Sequence, residues 1–315
     1  MGYLKVNRIM NNKNIVFIFI CLMLCLSTIT GCTNSVEKEE TETSEEEIVE
    51  ESLVKTVEFD GKQMDYIRFG NKDGNTLVIL PGLSLKSVMG AAEAIVGAYS
   101  LLAEDHEIYL FDHIREEKEG YGIDDMAEDT LKAFELLGIE HADLMGVSMG
   151  GMVAQTLALK RSDVVDSLIL CSTTSNVKDL DPAVFENWKK LAEERDVNGL
   201  MESFGEKVYS PDFYAKYKDI IIAGGQGVTE QDYVNFLTSL KGISEFDVSD
   251  KLEQIKCPVL VMGAGEDQVV GVQSSLDIVD KLGCKYFIYE GYGHGVYDEA
   301  PDYLSHIKEF LDELK

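Results

Sequence analysis

The chain predicts an α/β fold: a mostly parallel sheet with helices on both faces, opened by an antiparallel hairpin and carrying a helical insertion. Three observations lead there. Short apolar runs of strand type alternate with longer segments of helical period. The first two runs are separated by Asp60-Gly61, the tight-turn pair that joins antiparallel strands. Between Cys171 and Pro258 the alternation lapses for a stretch too long to be one crossover, which marks an insertion.

At the N-terminus, Lys5, Arg8 and Lys13 precede an apolar run at 15–26, which gives way to Ser27-Thr28-Ile29-Thr30-Gly31-Cys32. This is the pattern of a secretory signal, not of a fold element. The ending Ile-Thr-Gly-Cys resembles the bacterial lipobox, which implies that residues 1–31 are a signal peptide and that Cys32 is lipidated as the first residue of the mature chain. Residues 32–52 then read as an acidic disordered tether. They centre on Glu45-Glu46-Glu47 and carry too little apolar surface to fold.

The domain, 53–315, opens with strands at 54–59 and 62–69 around Asp60-Gly61. Further strand-like runs fall at 76–80, 107–111, 142–147, 166–171, 258–262 and 285–289. One crossover shows the helical period in Ala127, Leu131, Phe134 and Leu137. Continuous apolar strands separated by helices imply a parallel sheet buried on both faces. The insertion at about 181–248 is helical and rich in aromatic residues, among them Trp188, Phe204, Tyr217 and Phe236, which suit a small core of its own. Leaving a strand at its carboxyl end, it caps the edge where sites of such sheets lie.

With 315 residues and 45% hydrophobic content, the chain can bury a large core. Asp and Glu number 57 against 28 Lys and Arg, for a net charge of −29, which excludes nucleic acid as a partner. Of six cysteines, Cys21, Cys25 and Cys32 belong to the leader. Cys171, Cys257 and Cys284 remain, an odd number without zinc-ligand spacing, so neither a disulfide framework nor a metal site is expected.

The chemistry centres on Gly146-Val147-Ser148-Met149-Gly150, a G-x-S-x-G run between the strand at 142–147 and a helical pattern in Val153, Ala154, Leu157 and Ala158. A serine hydroxyl is a weak nucleophile at neutral pH, so it requires an imidazole to take its proton and a carboxylate to orient the imidazole. Of the five histidines, His106 and His141 precede strands at the amino edge, His306 sits in a C-terminal helix pattern, and His113 lies in a charged loop. His294, in Gly291-Tyr292-Gly293-His294-Gly295 after the last strand, is the candidate base. The loop Gly263-Ala264-Gly265-Glu266-Asp267 offers two acids at the same edge, and either could serve.

In motif order and position, residues 54–314 resemble the α/β-hydrolase superfamily, in particular its capped bacterial esterase and acyl-hydrolase members. That resemblance implies Ser148 as nucleophile, His294 as base and Asp267, rather than Glu266, as the acid. It also implies an oxyanion hole from the backbone N–H groups of Met149 and Leu83, a small-molecule acyl substrate, and no metal or organic cofactor. Two departures stand out. Pro81-Gly82 replaces the common His-Gly, and Asp112-His113-Ile114-Arg115-Glu116-Glu117-Lys118 replaces a glycine-containing loop and reads as a solvated charged segment. The expectation is a serine hydrolase of a carboxylic ester or related acyl bond, lipid-anchored outside the cytoplasm. Carbon-carbon or thioester hydrolysis on the same triad, or a non-catalytic ligand-binding surface lipoprotein, are the alternatives.

Overall fold

The computed structural model describes residues 5–6, 52–178 and 180–315. Cys32 and most of the leader and tether lie outside them. A two-residue strand, β1 (Lys5–Val6), pairs in parallel at one sheet edge. The domain proper starts with β2 (Val54–Phe59) and β3 (Lys62–Gly70), an antiparallel hairpin. Its turn residues Asp60 and Gly61 have φ of 49° and 75°, the positive pair that a two-residue hairpin turn requires.

Then follow β4 (Asn75–Leu80), α1 (Ala92–Ala98), α2 (Ser100–Ala103), β5 (His106–Ile114), α3 (Ile123–Leu137), β6 (Ala142–Val147), α4 (Met149–Lys160) and β7 (Val165–Cys171). Four helices come next, α5 (Pro182–Glu193), α6 (Val197–Val208), α7 (Pro211–Ala223) and α8 (Glu230–Ser244). The chain ends with β8 (Val259–Ala264), α9 (Gly271–Leu282), β9 (Lys285–Tyr289), α10 (Val296–Glu299) and α11 (Tyr303–Asp312).

The sheet order is β1-β9-β8-β7-β6-β4-β5-β3-β2, parallel from β4 to β9 and antiparallel through β3 and β2. The α/β fold read from the sequence is therefore observed. Strand pleat sorts the core into two layers. In β6, Ala142 and Leu144 join the layer under α3, α4 and α9, whereas Met145 and Val147 join the one under α1 and α11. A third cluster, including Trp188, Tyr217 and Phe236, belongs to α5–α8. Those helices start where their sequence caps them. Asp181 accepts from the Ala183 N–H ahead of Pro182, Ser210 caps α7 ahead of Pro211, and Thr229 with Asp232 forms a capping box on α8.

One reading is corrected. β5 runs on to Ile114, which pairs with Met64, and the segment after Phe111 is not simply solvated. Asp112 and Glu117 are buried, while Arg115, Glu116 and Lys118 stay exposed. Glu117 accepts a hydrogen bond from the Ser239 hydroxyl at 2.9 Å, and its N–H donates to Asn235 Oδ1 at 3.0 Å. Asn235 Nδ2 in turn donates to Arg115 O at 2.9 Å. The partners sit on α8, more than a hundred residues onward, so local charge density could not reveal them.

Candidate active site

Three strand ends converge at one edge of the sheet. Ser148 follows β6 directly and adopts φ 53° and ψ −117°, a strained conformation for a residue with a side chain. Its N–H donates to Cys171 O at 2.8 Å and its carbonyl accepts from Thr173 Oγ1 at 2.7 Å, so β7 and the segment after it grip the turn from one side. The flanking glycines are required by close approach. A Cβ on Gly146 would lie 2.4 Å from Gly150 O, and one on Gly150 would lie 2.1 Å from Leu80 O. Such a turn lifts the serine side chain off both the strand and the helix.

Asp267 lies just beyond β8 and His294 just beyond β9. Asp267 Oδ2 and His294 Nδ1 are 2.8 Å apart, and their side chains are 2% and 4% exposed. The other carboxylate oxygen accepts from the Val269 and Val270 N–H groups at 2.8 and 2.9 Å. Burial pushes the Asp267 carboxyl up, but the neighbouring His294 and those backbone donors outweigh it and hold the group below its ordinary value. An ionised Asp267 makes Nδ1 the protonated ring nitrogen, which leaves the Nε2 lone pair available as a base. Of the two acids that the sequence left open, Asp267 meets the imidazole; Glu266 is exposed, with its N–H on Tyr292 O. Ser148 Oγ makes no hydrogen bond among the described residues, so the structure joins Asp267 to His294 without closing the contact to serine.

The segment Leu80-Pro81-Gly82-Leu83 passes beside the serine. A Cβ on Gly82 would sit 3.2 Å from Ser148 Cβ and 3.8 Å from Oγ. The Leu83 N–H makes no hydrogen bond among the described residues, and Met149 opens α4, where first-turn N–H groups have no partner within the helix. Both donors are thus available at the serine turn. Between this segment and α6–α8 lies a cavity of about 110 Å³, lined by Gly82, Leu83, Met201, Phe204, Phe213 and Asp298 among others.

The loop bearing His294 is clamped from above. Gly295 N–H donates to Val208 O at 2.7 Å, the Tyr209 hydroxyl donates to Asp298 Oδ2 at 2.9 Å, and Ser210 donates to Glu299 through its N–H at 2.9 Å and its hydroxyl at 2.5 Å. Tyr209 and Asp298 carry no pattern in the sequence that marks them as site residues. Their only sequence signal is that Asp298 falls one helical turn past His294.

The remaining histidines are placed elsewhere. His106 is buried with Nδ1 3.2 Å from Leu102 O, His141 pairs with Asp166 at the surface, and His306 stacks on Phe287. His113 Nε2 lies 3.5 Å from Gly82 O. Cys171, Cys257 and Cys284 are free thiols. Among the described residues no three His, Cys, Asp or Glu side chains are placed to hold a metal ion, and no helix is long and apolar enough to cross a membrane.

A family profile described as alpha/beta hydrolase fold matches residues 75–301. A putative carbamate hydrolase RutD of Rhizobium rhizogenes is 25% identical over 239 residues, covering 73% of this chain and 89% of that protein. The crystal structure of MGS-M2, an alpha/beta hydrolase from a Medee basin deep-sea metagenome library, superposes with a TM-score of 0.74 at 19% identity, covering 82% of this chain and 97% of its own. An enol-lactonase of Burkholderia xenovorans superposes with a TM-score of 0.70 at 18% identity, over 82% of this chain and all of its own.

Proposed function

Because this chain belongs to the alpha/beta hydrolase fold family and is an enzyme of that family, we propose that it cleaves a carboxylic ester or related acyl bond of a small substrate with Ser148, His294 and Asp267. The observation that carries the reading is the buried hydrogen bond from His294 Nδ1 to Asp267, at the same sheet edge as a serine held at φ 53°. His294 Nε2 takes the proton as Ser148 Oγ adds to the carbonyl carbon, and the Leu83 and Met149 N–H groups receive the resulting oxyanion. Collapse expels the alcohol, which takes the proton from the imidazolium. Water then repeats the sequence on the acyl-enzyme and releases the acid and Ser148. Asp267 keeps the imidazole in the useful tautomer throughout and stays ionised. Carbamates and enol-lactones, the substrates in the names of the curated relatives, share a carbonyl carrying a heteroatom, which supports acyl-bond cleavage.

The test is turnover of p-nitrophenyl esters of graded chain length by the full chain, with fluorophosphonate labelling of Ser148. Ser148→Ala is expected to abolish labelling and lower kcat by at least about 10⁴-fold. Absence of both turnover and labelling in the unmodified protein would overturn the proposal. The lipobox-like Cys32 supports placing the enzyme on the extracytoplasmic face of a membrane, held by a lipid anchor.

A further inference from the structure

Among the described residues, Asp298 is the one carboxylic acid on the wall of the cavity that borders the serine turn. Tyr209 occupies its Oδ2, while Oδ1 is enclosed and has no hydrogen-bond partner among the described residues. The surroundings are mostly hydrocarbon, with Leu200, Met201, Phe204, Phe213 and Ile220 on the walls. A carboxyl oxygen left unpaired there is costly, which favours a ligand in the cavity that offers it a hydrogen bond. Gly82 and Val147 line the same cavity, and a Cβ on Gly82 would lie 3.8 Å from Ser148 Oγ, so the cavity borders the serine turn.

We propose that Asp298 selects the substrate: the cavity takes a short aliphatic portion that bears one uncharged oxygen function, a hydroxyl or a carbonyl, and Asp298 hydrogen-bonds that oxygen. This rests on the hydrolase reading and adds a specificity residue to it. Burial pushes the Asp298 carboxyl well up, against the lowering effect of the Tyr209 hydroxyl and with the help of nearby Glu299. That direction favours the neutral acid, which donates to a carbonyl and either donates to or accepts from a hydroxyl. An ammonium group would demand the carboxylate instead. Among the described residues Lys86 is the only cation on the cavity wall, and its ammonium is engaged by Gln226 O at 2.8 Å, so the site offers little to an anionic substituent.

The experiment compares two matched ester sets of equal length, one varied in the acyl part and one in the alcohol, each with alkyl, oxo, hydroxy and ammonium members. In one set the oxo or hydroxy member is expected to exceed its alkyl counterpart in kcat/KM by about tenfold. Asp298→Leu is expected to bring that ratio close to one, whereas Asp298→Asn, which still hydrogen-bonds, retains part of it. Equal treatment of alkyl and oxygenated members in both sets by the unmodified enzyme overturns the proposal, as does preference for the ammonium member, or an Asp298→Leu effect that scales all members alike. Fluorophosphonate labelling shows whether the leucine variant is folded, and the asparagine variant serves if it is not. Should no ester turn over, the hydrolase reading has failed by itself. Calorimetric titration of the same acid and alcohol products into Ser148→Ala then decides the role of Asp298: tighter binding of the oxygenated members that is lost with Asp298→Leu upholds it, and equal binding overturns it.

Discussion

Asp267 shows how much one side chain contributes by holding its neighbour. Its carboxylate takes two backbone N–H groups and the imidazole, which fixes both its rotamer and its charge. Asp267→Asn keeps the shape but reverses the hydrogen-bond demand on Nδ1, favouring the tautomer that points a proton at the serine. In steady-state kinetics kcat is expected to fall by about 10³–10⁴-fold with little change in KM; a fall confined to KM would show that Asp267 serves substrate binding instead. At this scale the serine turn and the histidine were legible, because a glycine-flanked serine after a strand and a histidine after the last strand leave few options. Glu266 and Asp267 were not separable by sequence alone, since neighbours on a glycine-rich loop differ only in direction. Asp298 was invisible, because its meaning depends on a cavity walled by residues from other elements.

Among elements, the contact between α8 and the segment after β5 has a pH dependence of defined sign. Burial pushes Glu117 up to about 8 from an ordinary value of 4.5; Ser239 lowers it and the nearby Asp112 raises it. The folded protein thus holds a proton over a range where the unfolded chain has released it, so this group's contribution to stability declines as pH rises from about 4.5 to about 8 and then levels off. Thermal unfolding of Glu117→Gln is expected to lose part of that slope, a difference on the order of several degrees in Tm across the range. Asp112, raised chiefly by burial, adds slope of the same sign, so the variant flattens the profile without levelling it. Parallel slopes in variant and parent would show that Glu117 is solvated. The hairpin and most strands were legible because period and turn chemistry are local. The end of β5 and the burial of Glu117 were not, because both are decided by tertiary partners at Met64 and Ser239.

At the scale of the whole molecule, the tether leads into β2, which lies at the sheet edge remote from β9. Cys32→Ser is expected to shift the protein from the detergent phase to the aqueous phase on partitioning while hydrolase activity persists; retention in the detergent phase would show that something other than lipid at Cys32 holds it. The layered architecture was readable because apolar strands alternating with helices admit few arrangements. How α5–α8 sit on the sheet was not readable, because no periodicity encodes which loops touch.

The clamp between residues 208–210 and 293–299 bears on how such proteins exchange parts. Gly295 N–H bonds Val208 O, and a Cβ on Gly293 would lie 2.8 Å from that same oxygen, so the two backbones fit each other without slack. A recombination that swaps the inserted helices between two relatives as a cassette cuts through this seam. Chimaeras that inherit both sides from one parent keep the histidine seated, whereas mixed parentage asks two unacquainted loops to interlock, so an exchange succeeds when residues 208–210 and 293–299 travel together.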